Sequence, residues 1–328
     1  MQDDAEASHK NLIMAKFFEI RQEVDGRQNV YLFGKRIAHL KTNMRFQLND
    51  VYRRIGLLEN MVEVTQMPKA RGWLRELQLA NLIILREIDR LCTKWGINYW
   101  LSEGTLLGAV RHGGYIPWDD DIDIGMTRED LEVLLKRFPD EARKDLYVEL
   151  HAEKSHNLFK VKHKELPHCF VDIFVFDYYH SRVDSLEEKL ALTRKIHAWQ
   201  KRRPLKNVEQ RLQRYREWTH ELMQGQKANP AAHPALFRGL EYQAASLPSI
   251  FYDYEDIFPT QRIDFEGMQA SIPANADMFL TLCFKNYMDL PPNFFLRHTN
   301  VKSLPLQEIL RIKALLKQEG ICHHSTEK

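Results

Sequence analysis

Cysteine is scarce in this chain. Its 328 residues hold four, Cys92, Cys169, Cys283 and Cys322. None falls in a Cys-x-x-Cys pair, which excludes the usual spacing of a structural zinc site or a dithiol redox centre. Scattered single thiols fit a reduced, cytoplasmic protein, and Cys322-His323-His324 reads as a polar tail. Long apolar runs are missing too: no stretch of 18 occurs, so no transmembrane helix is expected. The opening Met1-Gln2-Asp3-Asp4-Ala5-Glu6 is acidic and lacks the apolar core of a secretory signal. Charge of one sign is not in excess either. Lys and Arg number 47 against 45 Asp and Glu, a net +2, so nothing drives the whole chain toward nucleic acid. Neither an internal repeat nor a low-complexity stretch is visible. With 44% hydrophobic and 28% charged residues, the chain can bury one large core or two small ones.

Against this plain background one run stands out, Trp118-Asp119-Asp120-Asp121-Ile122-Asp123-Ile124-Gly125. Asp119, Asp121 and Asp123 recur with period two and alternate with Ile122 and Ile124, as on a strand with one acidic and one buried face. Carboxylates at this density repel one another and raise each other's pKa unless a cation lies among them. Mg²⁺ suits such a set, being held by one or two carboxylates together with substrate phosphates; Mn²⁺ is the alternative. An EF-hand loop does not fit, because Ile124 stands where its sixth-position Gly belongs and Asp130 where its final Glu belongs.

Just upstream, Ile97 to Leu101 reads as a short strand. Ser102-Glu103-Gly104 then turns the chain into a helix starting near Thr105. Glycine allows close backbone approach to a phosphate, and helix N-terminal N–H groups attract anions. Arg111-His112-Gly113-Gly114-Tyr115 adds a cation and a flexible turn ahead of the acidic strand. Strand, Gly turn, helix and acidic strand together point to metal-assisted phosphoryl chemistry.

The continuous stretch Glu103-Gly104-Thr105-Leu106-Leu107-Gly108-Ala109-Val110-Arg111-His112-Gly113-Gly114-Tyr115-Ile116-Pro117-Trp118-Asp119-Asp120-Asp121-Ile122-Asp123 resembles the signature of the LicD family, which includes bacterial phosphocholine transferases and fukutin-related transferases. Leu158 to Lys162, followed by Phe170-Val171-Asp172-Ile173-Phe174-Val175-Phe176-Asp177, resembles the family's second block. Phe265-Glu266-Gly267-Met268, Ile272-Pro273 and Tyr287-Met288-Asp289-Leu290-Pro291-Pro292 resemble its C-terminal block. There the chain departs from the family, with Phe284-Lys285-Asn286 in place of Tyr-Gly-Asp, a difference that bears on the identity of donor or acceptor. The resemblance covers residues 72 to 293. It implies a nucleotidyltransferase-like fold with a third metal carboxylate at Asp172. It also implies transfer of a phosphorylated alcohol from a CDP-activated donor to a hydroxyl of a cell-surface glycan, polysaccharide or lipopolysaccharide, lipid-linked or free, with CMP leaving. From the residues alone, a carboxylate inside the apolar run Val171 to Phe176 is costly unless its charge is matched.

The expected fold class is α+β: a mixed sheet flanked by helices, with helical additions at both ends. Four segments are expected. Residues 1–70 combine a hairpin-like Val30–Ile37 with a helical stripe at Leu48, Val51, Ile55, Leu58 and Met61. Residues 71–180 hold the core, opening on the helix Leu77, Ala80, Ile84, Ile88, Leu91, Trp95 that Gly96 stops. Thr127 and Asp130 form a capping pair for the next helix. Residues 181–250 are helical and basic: Arg194, Lys195, Lys201, Arg202, Arg203, Lys206, Arg211, Arg214 and Arg216 lie among Trp199, Tyr215 and Trp218. A solvated face over core aromatics is the simpler reading there, and docking to an anionic glycan or the inner membrane surface the functional one. Residues 251–328 hold a hairpin at Glu266-Gly267, a helix after Asn275 and a helix from Pro305 to Glu319 stopped by Gly320.

The expected site follows. Asp121 and Asp123 hold Mg²⁺ at the donor diphosphate, and Asp172 joins them or takes the acceptor's proton. Asp119 is a ligand or orients one. Gly104 and Thr105 offer backbone to the phosphates, and Arg111, Lys160 and Lys162 neutralise them. Glu103 either fixes the Gly turn or touches the donor, and His112 and His163 are acid–base candidates. Two other classes stay open, an Asp-x-Asp glycosyltransferase using a nucleotide-sugar and a non-catalytic binding module of the same fold.

Overall fold

A computed structural model describes residues 18–22, 28–32, 35–39, 63–152, 157–200, 208–239, 251–289 and 304–321. The chain divides into two compact units. In the first, β1 (Phe18–Gln22), β2 (Gln28–Leu32) and β3 (Lys35–His39) form an antiparallel sheet. The hairpin expected over Val30–Ile37 is the β2–β3 pair, with Leu32 facing Lys35. The stripe from Leu48 to Met61 lies outside the described residues, as do Lys201, Arg202, Arg203, Lys206 and the Cys322-His323-His324 tail.

The second unit opens on α1 (Gly72–Trp95). Leu77, Ala80, Ile84, Ile88 and Leu91 are all buried along it, each large side chain worth ~1.5–3 kcal/mol on burial. Gly96 closes the helix in the left-handed conformation at φ 67°, a geometry that glycine adopts without penalty. The strand expected over Ile97–Leu101 contracts to β4 (Trp100–Leu101), and α2 (Glu103–His112) follows at once. Then come β5 (Asp123–Thr127) and α3 (Arg128–Glu141). Thr127 Oγ1 accepts from the Asp130 N–H and donates to the Asp130 carboxylate, the expected capping pair. The chain continues through β6 (Leu146–Ala152), β7 (Asn157–His163), β8 (Phe170–Tyr179), α4 (Leu186–Gln200) and α5 (Val208–Leu222). It ends with β9 (Ala235–Arg238), β10 (Phe251–Asp253), the hairpin β11 (Gln261–Phe265) and β12 (Met268–Ile272), α6 (Ala276–Phe284) and α7 (Leu306–Gln318).

These elements make an α+β fold around a seven-stranded mixed sheet. β8 is its hub. One edge pairs in parallel with β5; the other pairs antiparallel with β7 along its first half and with β9 along its second. β4 adds to β5, β6 to β7 and β10 to β9. Burial of β8 on both faces matches its nearly continuous apolar run. Arg128, at the start of α3, forks onto Asp177 of β8 at 2.5 and 2.7 Å, with both side chains buried. Residues 181–250 hold α4 and α5 and also supply β9 to the sheet. Trp199 and Trp218 stack with centroids 5.1 Å apart and an interplanar angle of 10°, packed with Tyr215 in a second apolar cluster, so these aromatics are core.

One expectation is corrected. The acidic run was expected to be strand throughout, but β5 begins only at Asp123. The main-chain carbonyls of Asp119 and Asp120 are taken instead by side chains of α1: Gln78 donates to Asp119 O at 2.8 Å and Asn81 to Asp120 O at 3.1 Å.

Candidate active site

The parallel β5–β8 ladder places Asp123 directly beside Asp172. The antiparallel β7–β8 ladder places Lys160 beside Asp172 on its other side. These three residues form a row across three strands, because side chains in register on neighbouring strands share a face. Asp121, two residues before β5, completes the group. One carboxylate oxygen from each of Asp121, Asp123 and Asp172 lies within 4.8 Å of the others, and all three residues are buried. Lys160 Nζ sits 2.7 and 2.9 Å from the two oxygens of Asp172 and 4.1 Å from the Phe170 ring centroid.

The electrostatics of this cluster are unbalanced. When all are ionised, three carboxylates and one ammonium leave a net charge of −2. Burial first, then the like charges of Asp121 and Asp172, push the Asp123 carboxyl well above its ordinary range. Hard oxygen donors, convergence and a residual charge of −2 fit one divalent cation of the Mg²⁺ kind. Asp119, Asp120 and Asp121 form a second convergent carboxylate group that shares Asp121 with the first.

Local chemistry explains how the chain holds this arrangement. The Asp123 N–H donates to Thr105 Oγ1 at 2.8 Å, so the buried Thr105 hydroxyl is spent on the strand's first residue. A Cβ on Gly104 would lie 2.8 Å from Asp119 Oδ2, so only glycine lets the start of α2 approach that carboxylate. Glu103 has φ 46°, a left-handed conformation that a non-glycine residue adopts at a cost. Its carboxylate is ion-paired with Arg238 of β9, whose guanidinium also lies 5.4 Å from the Phe174 ring centroid.

The remaining expected residues sit elsewhere. Arg111, buried in the last turn of α2, donates to Tyr287 O at 2.7 Å and to His112 Nε2 at 3.1 Å. Burial and Arg111 together lower the His112 imidazole to about 4, so it is neutral and accepts from Arg111. Lys162 pairs with Glu149 of β6 at 2.9 Å. His163 faces Asp145 at 3.4 Å, with burial holding its pKa low.

Behind the site, Glu266 at the β11–β12 turn accepts from the Tyr115 N–H at 3.1 Å, Arg75 at 2.5 Å and Lys69 at 2.8 Å. Arg75 in turn donates to Gln78 Oε1 at 3.2 Å. A Cβ on Gly114 would run into the Glu266 carboxylate. Gln78, Asn81 and Arg238 were not among the expected residues. Arg75, Gln78 and Asn81 lie three apart along α1 and are all buried, a polar line among the core positions that sequence could have flagged; Arg238 carries no such signal.

Comparison with known proteins adds to this geometry. Residues 96–208 match the family described as LicD/FKTN/FKRP, nucleotidyltransferase domain. Lipopolysaccharide cholinephosphotransferase LicD of Haemophilus influenzae is 35% identical over 118 residues, 32% of this chain and 44% of that protein. Ribitol 5-phosphate transferase FKRP of Homo sapiens is 58% identical over 36 residues, 11% of this chain and 7% of that protein. The chain thus spans less than half the length of the curated relatives it matches. Both relatives are transferases by name. The chain carries a domain of the LicD family over residues 96–208.

Proposed function

We propose that this protein is a divalent-metal-dependent phosphotransferase. It moves a phosphorylated alcohol, phosphocholine-like, from a CDP-activated donor to a glycan hydroxyl and releases CMP. The observation that carries the reading is the buried row Lys160, Asp172, Asp123 with Asp121 beside it, three convergent carboxylates against one ammonium. Family membership supports a phospho-alcohol transferase acting on glycans.

In this reading Asp121, Asp123 and Asp172 hold Mg²⁺, with Mn²⁺ as a substitute, and Asp119 completes or orients the set. When bound, the ion would stabilise negative charge on the attacking and leaving oxygens, worth several kcal/mol of barrier. Lys160 orients Asp172 and offers a fixed cation to the donor diphosphate. Thr105 fixes the main chain of Asp123, and Gly104 gives the diphosphate room beside Asp119. Glu103, held by Arg238, shapes the entry to α2. Arg111, tied to Tyr287, and Lys162, tied to Glu149, support the walls of the site. No described helix is long and apolar enough to cross a membrane. A CDP donor places the reaction in the cytoplasm, at the inner membrane face where the acceptor is lipid-linked.

A donor panel tests the proposal. The protein is incubated with Mg²⁺, a glycan acceptor and either CDP-alcohols or nucleotide-sugars, with and without EDTA. CMP release from a CDP-alcohol, lost in EDTA and restored by Mg²⁺ or Mn²⁺, is expected. Release of a nucleoside diphosphate from a nucleotide-sugar would favour a glycosyltransferase instead, and full activity in EDTA would remove the metal.

A further inference from the structure

We infer that Asn81, with Gln78 beside it, is the positioning residue for Asp121, from a helix that precedes the matched domain. The inference rests on the metal reading above. Asp123 and Asp172 are held by their own strands, through the parallel β5–β8 register. Asp121 lies ahead of β5, between two tied carbonyls: Ile122 O accepts from the Asp172 N–H at 2.8 Å, and Asp120 O accepts from α1. Its placement depends on both ties.

Asn81 is the anchor on the side before Asp121. Its side chain is fully buried. Nδ2 donates to Asp120 O at 3.1 Å, one residue before Asp121. Oδ1 accepts from the Phe170 N–H at 3.1 Å, two residues before Asp172. One rigid amide thus ties the loop carrying Asp121 to the strand carrying Asp172. Gln78, also fully buried, ties the preceding residue through Asp119 O and accepts from Arg75. Buried amides with both ends satisfied hold a fixed spacing, since any shift would leave a donor or acceptor unpaired. Partners that orient ligands in this way typically change metal affinity 10–100-fold when removed.

The test is thermal unfolding of the full chain at increasing MgCl₂. For wild type the midpoint should stay level at low Mg²⁺ and then climb with the logarithm of its concentration, the onset giving the half-saturating concentration. Asn81→Ala should need about 10–100-fold more Mg²⁺ to reach half-saturation. Ser271→Ala, another buried polar deletion, should lower the midpoint and leave half-saturation unmoved. Where Asn81→Ala does not fold, Gln78→Ala, which releases Asp119 O and the Arg75 guanidinium, carries the same expected direction. Wild-type half-saturation in the variant would overturn the inference and leave the metal reading standing. A wild type that ignores Mg²⁺ would remove both.

Discussion

Asp172 faces Asp123 directly across a parallel strand pair. That register is what makes two aspartates so far apart in the chain into one site, because a slip of one residue would turn one of the carboxylates to the opposite face of the sheet.

Neutralising either Asp121 or Asp123 should abolish turnover without unfolding the protein. Asp121→Asn and Asp123→Asn should each retain less than about a tenth of wild-type kcat, a loss above ~1.4 kcal/mol. In EDTA their unfolding midpoints should equal or exceed that of wild type, since like-charge repulsion is relieved. Steady-state kinetics and thermal scans on the same preparations check both parts.

The raised carboxyl of Asp123 has a pH signature. A carboxyl whose folded pKa lies above the unfolded value of 3.8 contributes stability that is complete below that value. The contribution is lost as pH rises through the folded pKa. In EDTA, the wild-type midpoint measured relative to Asp123→Asn should therefore fall as pH rises above the unfolded value. Mg²⁺ competes with the proton for the same oxygens, so its stabilising shift should grow over that range. An Mg²⁺ shift equal at every pH would contradict the cluster as a metal site.

Lys160→Met separates charge balance from catalysis. It leaves −3 in place of −2, so half-saturating Mg²⁺ should fall or stay constant. In EDTA the protein should lose about 3–5 kcal/mol, the cost of breaking a buried ion pair, with part of it recovered in Mg²⁺. Turnover should drop at least tenfold, because Asp172 loses its orienting partner. Weaker Mg²⁺ binding in this variant would refute the charge argument.

The Glu266–Gly114 contact gives a stability prediction away from the chemistry. Gly114→Ala should cost ~1–3 kcal/mol by forcing the Glu266 carboxylate off the Tyr115 N–H. Combined with Glu266→Ala, its effect should shrink, because the obstructed group is gone. A denaturant-unfolding double-mutant cycle measures that non-additivity.

Local chemistry explains which parts of the fold were legible. The α1 stripe, the Thr127–Asp130 cap and the Gly96 stop depend on residues within one or two turns of each other, and they form as patterned. Asp172 was legible because a carboxylate inside Val171–Phe176 needs a matching charge, whatever the fold. Arg238 was not, because its partner Glu103 is 135 residues away and only the β8–β9 pairing brings them together. Lys160 and Lys162 look alike in sequence, two residues apart on one strand face. Cross-strand geometry alone sends one to Asp172 and the other to Glu149. The late start of β5 was hidden for a similar reason: the competing donors, the amides of Gln78 and Asn81, lay on α1.

The matched domain begins at residue 96, and α1 ends at Trp95. Chimeras that exchange residues 96–208 between relatives would graft the whole acidic motif onto a foreign helix. Such hybrids should inherit the signature yet lose its calibration, unless the resident helix offers amides at the heights of Gln78 and Asn81. The unit of exchange that preserves function is then the motif together with α1, and the matched domain stops one helix short of it.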